Sequence, residues 1–269
     1  MTVEEKIECL KTKNNYGFED LVDVVEVLRS EKGCPWDREQ DHKSIRKDII
    51  EETYEVIEAI DKEDSELLRE ELGDVMLQVV FHSRIEEEKN TFNIENVIND
   101  ICVKLIHRHP HVFGDVFADT TEKVLSNWEK IKSEEKERKT VTDKLLAIPP
   151  MLPALMRAQK VGKKASCFDF SDENEVLDKM SEEMVEICEA IEIGQKEAIE
   201  EEVGDILLTI TSLCRKMDID AEVALNKATD KFISRFSKIE QYTIEHNLEI
   251  ESMSSDELNR IWDENKHKN

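Results

Sequence analysis

The chain writes one acidic pattern twice. Glu51-Glu52-Thr53-Tyr54-Glu55, followed by Glu70-Glu71-Leu72-Gly73-Asp74, returns 131 positions later as Glu182-Glu183-Met184-Val185-Glu186, followed by Glu201-Glu202-Val203-Gly204-Asp205. The apolar residues keep the same register: Ala59-Ile60 matches Ala190-Ile191, and Val75-Met76-Leu77 matches Ile206-Leu207-Leu208. Asp and Glu make up 63 of 269 residues, so a single acidic run is unremarkable in this composition. Two copies in one register imply a duplicated helical hairpin, and with it two units of like architecture.

On a helix, Glu52 and Glu55 share a face, as do Glu51 and Glu55, and Glu71 with Asp74 on the second helix. Each group adjoins apolar positions, Val56, Ile57 and Ile60 on one helix and Leu72, Val75 and Val79 on the other, which sets the acids at the edge of the buried stripe. Antiparallel packing of the two helices brings four carboxylates together. Like charges about 4 Å apart repel by roughly 4 kcal/mol at an effective dielectric near 20, against a total stability of about 5–15 kcal/mol. A cation answers that repulsion. No Cys or His falls within the acidic motifs, and an all-oxygen donor set favours Mg²⁺ or Mn²⁺ over zinc. The competing reading is an ordinary solvated acidic face, which two matching copies make the weaker. A ferritin-like di-iron bundle needs a Glu-x-x-His motif that neither copy offers.

Charged residues make up 37% of the chain, with only seven Gly and five Pro, a composition that predicts an all-α protein. A formal charge of −26 argues against contact with nucleic acid or an anionic membrane surface. The six Cys form no C-x-x-C pair and read as buried or incidental thiols of a reducing compartment. No signal-like N-terminus and no apolar run of about 20 residues is present, so a cytoplasmic location is expected. Nucleophile elbows, Walker A loops and G-x-G-x-x-G turns are absent, which leaves covalent catalysis without support.

Helical spacing predicts a helix from Gly17 through Leu28, then a turn at Lys32-Gly33-Cys34-Pro35-Trp36-Asp37. Ser44 or Asp48 is the expected cap of the first acidic helix, which runs to about Ile60; the second runs to about Glu88. A third helix spans residues 93–108 and a fourth piece holds Trp128. A mixed-charge run at 132–139 and the Pro-rich Ile148-Pro149-Pro150-Met151-Leu152-Pro153 mark the boundary. The expected domains are residues 1–140 and 150–269. The second repeats the order: a helix over 154–165, a break at Phe168-Asp169-Phe170, two acidic helices, and a helix from Ala221 onward.

A cationic element follows each acidic pair. Asn99, Lys104 and Arg108 match Asn226, Lys231 and Arg235 at a constant offset of 127. Each Lys/Arg pair is one helical turn apart, so both side chains leave one face together and are suited to grip a phosphate. Ion pairing between helices is the plainer alternative. Trp128 and Trp262 close the two halves, placed either to stack on a base or to pack a core. His109 and His111 have no counterpart in the second half, which favours a structural or interface role.

Together, Gly33-Cys34-Pro35-Trp36-Asp37-x-x-Gln40-x-His42, the E-E-x-x-E and E-x-x-D signatures, Arg108-His109-Pro110-His111-Val112-Phe113, and the stretch from Ile148-Pro149 through Leu155 resemble the MazG nucleoside triphosphate pyrophosphohydrolase family over essentially the whole chain. The resemblance implies a tandem of two MazG-like helical-bundle domains and a homodimer. It also implies Mg²⁺-dependent hydrolysis of (deoxy)nucleoside triphosphates to the monophosphate and pyrophosphate, serving nucleotide-pool control or cleansing. The implied metal ligands are Glu183, Glu186, Glu202 and Asp205, with the cognate set Glu52, Glu55, Glu71 and Asp74. The implied nucleotide contacts are Lys179, Met180, Ser181, Glu182 and Glu183, then Lys231, Arg235 and Trp262. The C-terminal domain is the expected main catalytic unit. Lys231 and Arg235 are expected to stabilise phosphate charge, and Glu182 stands beside the ligand Glu183 as a candidate base. The family's G-F-D-W segment reads Cys167-Phe168-Asp169-Phe170 here. The lysine before its second acidic helix is replaced near Ala198, with Lys196 a nearby substitute. A non-catalytic helical protein that binds nucleotides for regulation is the alternative.

Overall fold

The computed structural model describes residues 1–135 and 140–266, and among them every regular element is a helix. The last residues of the mixed-charge run, 136–139, lie outside the described residues. Two compact units result, Met1–Lys132 and Ser133–Asn269.

The N-terminal unit contains α1 (Val3–Thr12), α2 (Phe18–Arg29), α3 (Pro35–Glu39), α4 (Asp48–Asp61), α5 (Ser65–Glu88), α6 (Ile94–Arg108), α7 (Pro110–Phe113) and all but the last turn of α8 (Thr121–Glu135). α1 was not anticipated, although Thr2 and Glu5 form a capping box at its start, with bonds of 3.2 and 2.8 Å. The two acidic helices α4 and α5 pair as a hairpin, α2 and α6 pack on α5, and α1 packs on α2. Val25 of α2, Ile45, and Val80, Phe81 and Ile85 of α5 make the buried core, flanked by Leu21, Val22, Leu77 and Ile94. The expected cap of α4 is not formed. Lys47 occupies the cap position without a side-chain bond, because Ser44 is engaged with Asp41, its N–H donating to Asp41 Oδ1 at 2.8 Å, and Asp48 is already helical.

Two contacts fasten the segment before α4 to α5. Arg29, buried, donates to the Asp37 and Gln40 carbonyls at 2.6 and 3.1 Å while pairing with Glu88. His42 meets His82 through their Nδ1 atoms at 2.7 Å and Glu86 through Nε2 at 2.6 Å. The acidic helix thus starts from a fixed point.

The C-terminal unit contains α9 (Val141–Leu146), α10 (Ala154–Lys164), α11 (Glu173–Ile193), α12 (Lys196–Lys216), α13 (Ala221–His246) and α14 (Ser255–Lys266). α11 and α12 form the second acidic hairpin, α10 packs on α12 and α13, and α14 packs on α13. The two hairpin turns match in conformation: Gly194 has φ 75° and Glu63, at the same register, has φ 54°. Glycine enters that left-handed region freely, whereas Glu63 does so against its Cβ. The predicted break at Phe168-Asp169-Phe170 is a 3₁₀ turn (Ser166–Phe168) leading into an anchor, where Arg215 Nη2 donates to Asp169 Oδ1 at 2.6 Å.

Each hairpin leaves an apolar stripe open. Ile50, Tyr54 and Ile57 on α4 and Leu72, Met76 and Val79 on α5 are exposed at helical spacing, and Leu177, Met184 and Ile191 on α11 with Val203 and Leu207 on α12 are likewise open. Among the described residues no helix is long and apolar enough to cross a membrane.

Candidate metal and phosphate site

Pairing α4 with α5 puts carboxylate oxygens of Glu52, Glu55 and Glu71 within 4.8 Å of one another, and pairing α11 with α12 does the same for Glu183, Glu186 and Glu202. Asp74 and Asp205 stand outside these close groups, although the charge of Asp74 acts on Glu52 and that of Asp205 on Glu202. The buried member differs between the halves. It is Glu71, 8% exposed, in the first and Glu183, 3% exposed, in the second, and these are not register equivalents.

The acids strain against one another. Burial, then Asp74 and Glu55, raises the Glu52 carboxyl above its ordinary value. Burial and Glu55 raise Glu71, and burial with Glu186 and Glu183 raises Glu202. Glu183 Oε2 is buried with no hydrogen-bond partner. An unmet buried acceptor costs about 1–3 kcal/mol, and more when charged, so a cation fits there. Three carboxylates with no Cys or His among them suit a hard, oxygen-seeking ion.

Around the C-terminal group, Lys179 Nζ lies 2.7 Å from Glu182, 3.0 Å from Glu183 and 4.0 Å from Glu186. Glu182 and Glu183 hold the ammonium protonated beyond its usual range. Glu182 is exposed and faces Lys179 from outside the triad. Ser181 Oγ donates to the Leu177 carbonyl at 2.9 Å, Met180 is half-buried, and Lys196 opens α12, exposed.

α13 packs on α12, the helix of Glu202 and Asp205. It presents Lys231, exposed, and Arg235, whose Cζ lies 5.7 Å from the Trp262 ring centre and whose Nε is buried without a partner. Among the described residues no ion pair joins either cation to the carboxylates. The first half repeats the arrangement, with Arg108 at 5.5 Å and Lys132 at 4.4 Å from the Trp128 ring. Phe232, 5.2 Å from Trp262 and stacked on Phe236, belongs to this aromatic cluster and was missed in the sequence. The spacing of Phe232 and Phe236, one turn apart on the Arg235 helix, was the available signal.

The model of the MazG nucleotide pyrophosphohydrolase domain matches residues 40–113 and 171–239, one segment over each acidic hairpin. The chain belongs to the MazG family. It is 43% identical to the nucleoside triphosphate pyrophosphohydrolase/pyrophosphatase MazG of Thermotoga maritima over 93% of this chain and 95% of that protein. It is 40% identical to the nucleoside triphosphate pyrophosphohydrolase of Escherichia coli K12, over 91% and 95%. It also matches half of the Bacillus subtilis protein YabN, at 42% identity over 93% of this chain and 51% of that one. The first MazG segment contains Glu52, Glu55, Glu71, Asp74, Lys104 and Arg108; the second contains Lys179, the Glu183 triad, Asp205, Lys231 and Arg235. Trp128 and Trp262 fall outside both MazG segments, so their pairing with Arg108 and Arg235 is a feature the structure adds.

Proposed function

We propose that this MazG protein hydrolyses nucleoside and deoxynucleoside triphosphates to the monophosphate and pyrophosphate, using Mg²⁺ or Mn²⁺, in the control or cleansing of the nucleotide pool. One observation carries the reading: the buried, unpartnered Oε2 of Glu183 within a three-carboxylate group of a MazG segment. Glu183, Glu186 and Glu202, with Asp205 behind them, would hold the ion, and Glu52, Glu55, Glu71 and Asp74 would do so in the first half. Bound there, the ion supplies positive charge to the triphosphate.

The remaining chemistry belongs to the chain. Lys231 and Arg235 meet phosphate oxygens and stabilise charge that builds on the leaving group. Trp262 backs Arg235 and offers a face for a base. A carboxylate, with Glu182 as the candidate, takes a proton from water as its oxygen bonds to the α-phosphorus. The bond from that phosphorus to the α,β-bridging oxygen breaks, and pyrophosphate leaves with the electron pair.

A second copy of the chain completes the fold in this reading. The open stripes of α4, α5, α11 and α12 have the pattern of helix-packing surfaces, and the buried core of the N-terminal unit is only a handful of residues. A homodimer covers such stripes. Its sedimentation should be that of two chains.

The deciding assay is pyrophosphate release from a panel of NTPs and dNTPs with Mg²⁺. It compares the wild type with Glu202→Gln plus Asp205→Asn and, separately, Glu71→Gln plus Asp74→Asn. The C-terminal pair should lose at least about a hundredfold. Nucleotide protection against unfolding without any pyrophosphate release would instead favour the non-catalytic regulatory protein.

A further inference from the structure

The two acidic helices are equivalent in sequence but not in charge one turn before the carboxylates. At that position the C-terminal helix has Lys179 and the N-terminal helix has Asp48. Lys179 Nζ, 3.0 Å from Glu183 Oε1 and 4.0 Å from Glu186 Oε2, is a fixed cation at the edge of its own triad. It leaves Glu183 Oε2 buried and unmet, so neutralisation there is partial. In the first half the charge of Asp48 acts on Glu52 and adds to the repulsion. Among the described residues no Lys or Arg forms an ion pair with Asp48, Glu52, Glu55, Glu71 or Asp74, and Glu71 is 8% exposed.

We propose that this one position makes the two sites unequal toward divalent cations: the N-terminal site, with Asp48, binds the more tightly and fills first, and the C-terminal site fills only by outcompeting Lys179. The inference rests on reading both triads as metal sites. Its physical basis is Coulombic. A divalent ion entering the first half meets five formal negative charges and no internal competitor. One entering the second half meets carboxylates whose field Lys179 already offsets. Lys179 is about a third exposed, so solvent screening reduces the difference, and about a tenfold gap in affinity is expected. When the divalent ion is scarce, the first half is loaded and the second is empty.

Mn²⁺ binding to the full chain without nucleotide, followed by electron paramagnetic resonance, reads this directly. Two classes of site are expected. Glu55→Gln plus Glu71→Gln should delete the tighter class, and Glu186→Gln plus Glu202→Gln the weaker. Lys179→Met should tighten the weaker class about tenfold and leave the other unchanged, while Asp48→Lys should weaken the tighter class. Asp48→Asn, close in size, should weaken it in the same direction, which separates charge from damage to the helix. Equal affinities in the two halves, or a weaker class indifferent to Lys179→Met, overturn the inference and leave the metal reading standing. Mn²⁺ binding that no carboxylate change affects overturns both.

Discussion

Arg29 of α2 and Glu88 at the end of α5 meet at two points, Nε to Oε1 at 2.9 Å and Nη2 to Oε2 at 2.8 Å. The same guanidinium holds the carbonyls of Asp37 and Gln40 and lies 5.1 Å from the Phe81 ring centre. It ties the turn before α4 to the helix that carries Glu71.

Arg29→Met should therefore destabilise the N-terminal unit by about 1–3 kcal/mol, since it removes a buried guanidinium's bonds to Glu88 and to the Gln40 carbonyl, while Arg84 still meets Glu88 and the Gln40 N–H still meets the Asp37 carbonyl. Hydrogen exchange should speed up in α5 and stay unchanged in α12. Unchanged exchange in α5 would show that the pair holds nothing together.

The response to pH follows from two opposing sets of acids. Glu52, Glu71 and Glu202 have carboxyls raised above 4.5 in the fold. They take up protons in the folded state before they do so in the unfolded chain, so the metal-free protein gains stability as pH falls from neutral toward the ordinary carboxylate range. Asp169, lowered to about 2 by Arg215, and Glu86, lowered to about 2 by Lys89, Thr91 and His42, act the other way. Their stability is present above the unfolded carboxylate pKa and is lost as pH falls toward 2. Thermal unfolding without metal should show its maximum on the acid side of neutral. Saturating Mg²⁺ should move that maximum upward, because its ligands must be deprotonated.

One proton lies between His42 and His82. Their Nδ1 atoms are 2.7 Å apart, so two charged rings would oppose two N–H groups. Burial, then the neighbouring His42, holds His82 below its ordinary value of 6.5. Ring-nitrogen NMR should show His82 staying neutral to pH values below those at which an ordinary imidazole takes up its proton. A His82 that titrates at or above 6.5 would contradict the arrangement.

Gly204 is mid-helix on α12, and a Cβ there would meet nothing within 4 Å. Alanine should stabilise that helix by about 0.5–1 kcal/mol. Gly73 has the same open space at the same register. A glycine between Glu202 and Asp205 that no part of its own chain approaches fits the close approach of a substrate or second copy. Gly204→Ala is expected to raise the unfolding temperature and lower pyrophosphate release. A variant both more stable and fully active would show that nothing comes near.

The hairpins were legible because acids and apolar residues recur together, as Glu52 with Ala59 and Glu183 with Ala190 do. The all-α fold follows from that periodicity and from the scarcity of Gly and Pro. Packing decided the rest. Each half sets two acids on each of its two paired helices, yet only three of the four reach one another, a matter of packing that spacing alone does not decide. Which acid is buried, Glu71 in one half and Glu183 in the other, is not preserved by the repeat. Asp48 and Lys179 were visible as letters, but the ion pairs of Lys179 exist only once α11 is wound. His42 and His82 are far apart in the chain, and no local pattern announces their contact.

The open stripes on α4 and α5 bear on the life of a newly made chain. Tyr54 and Met76 are exposed, and in the homodimer proposed above that surface is most accessible when copies are fewest. Folding of the first molecules after synthesis begins would proceed with adhesive helices uncovered, within reach of proteases and of other unfinished chains. Under that proposal abundance itself becomes protective, and dilution a stress that no single side chain can relieve.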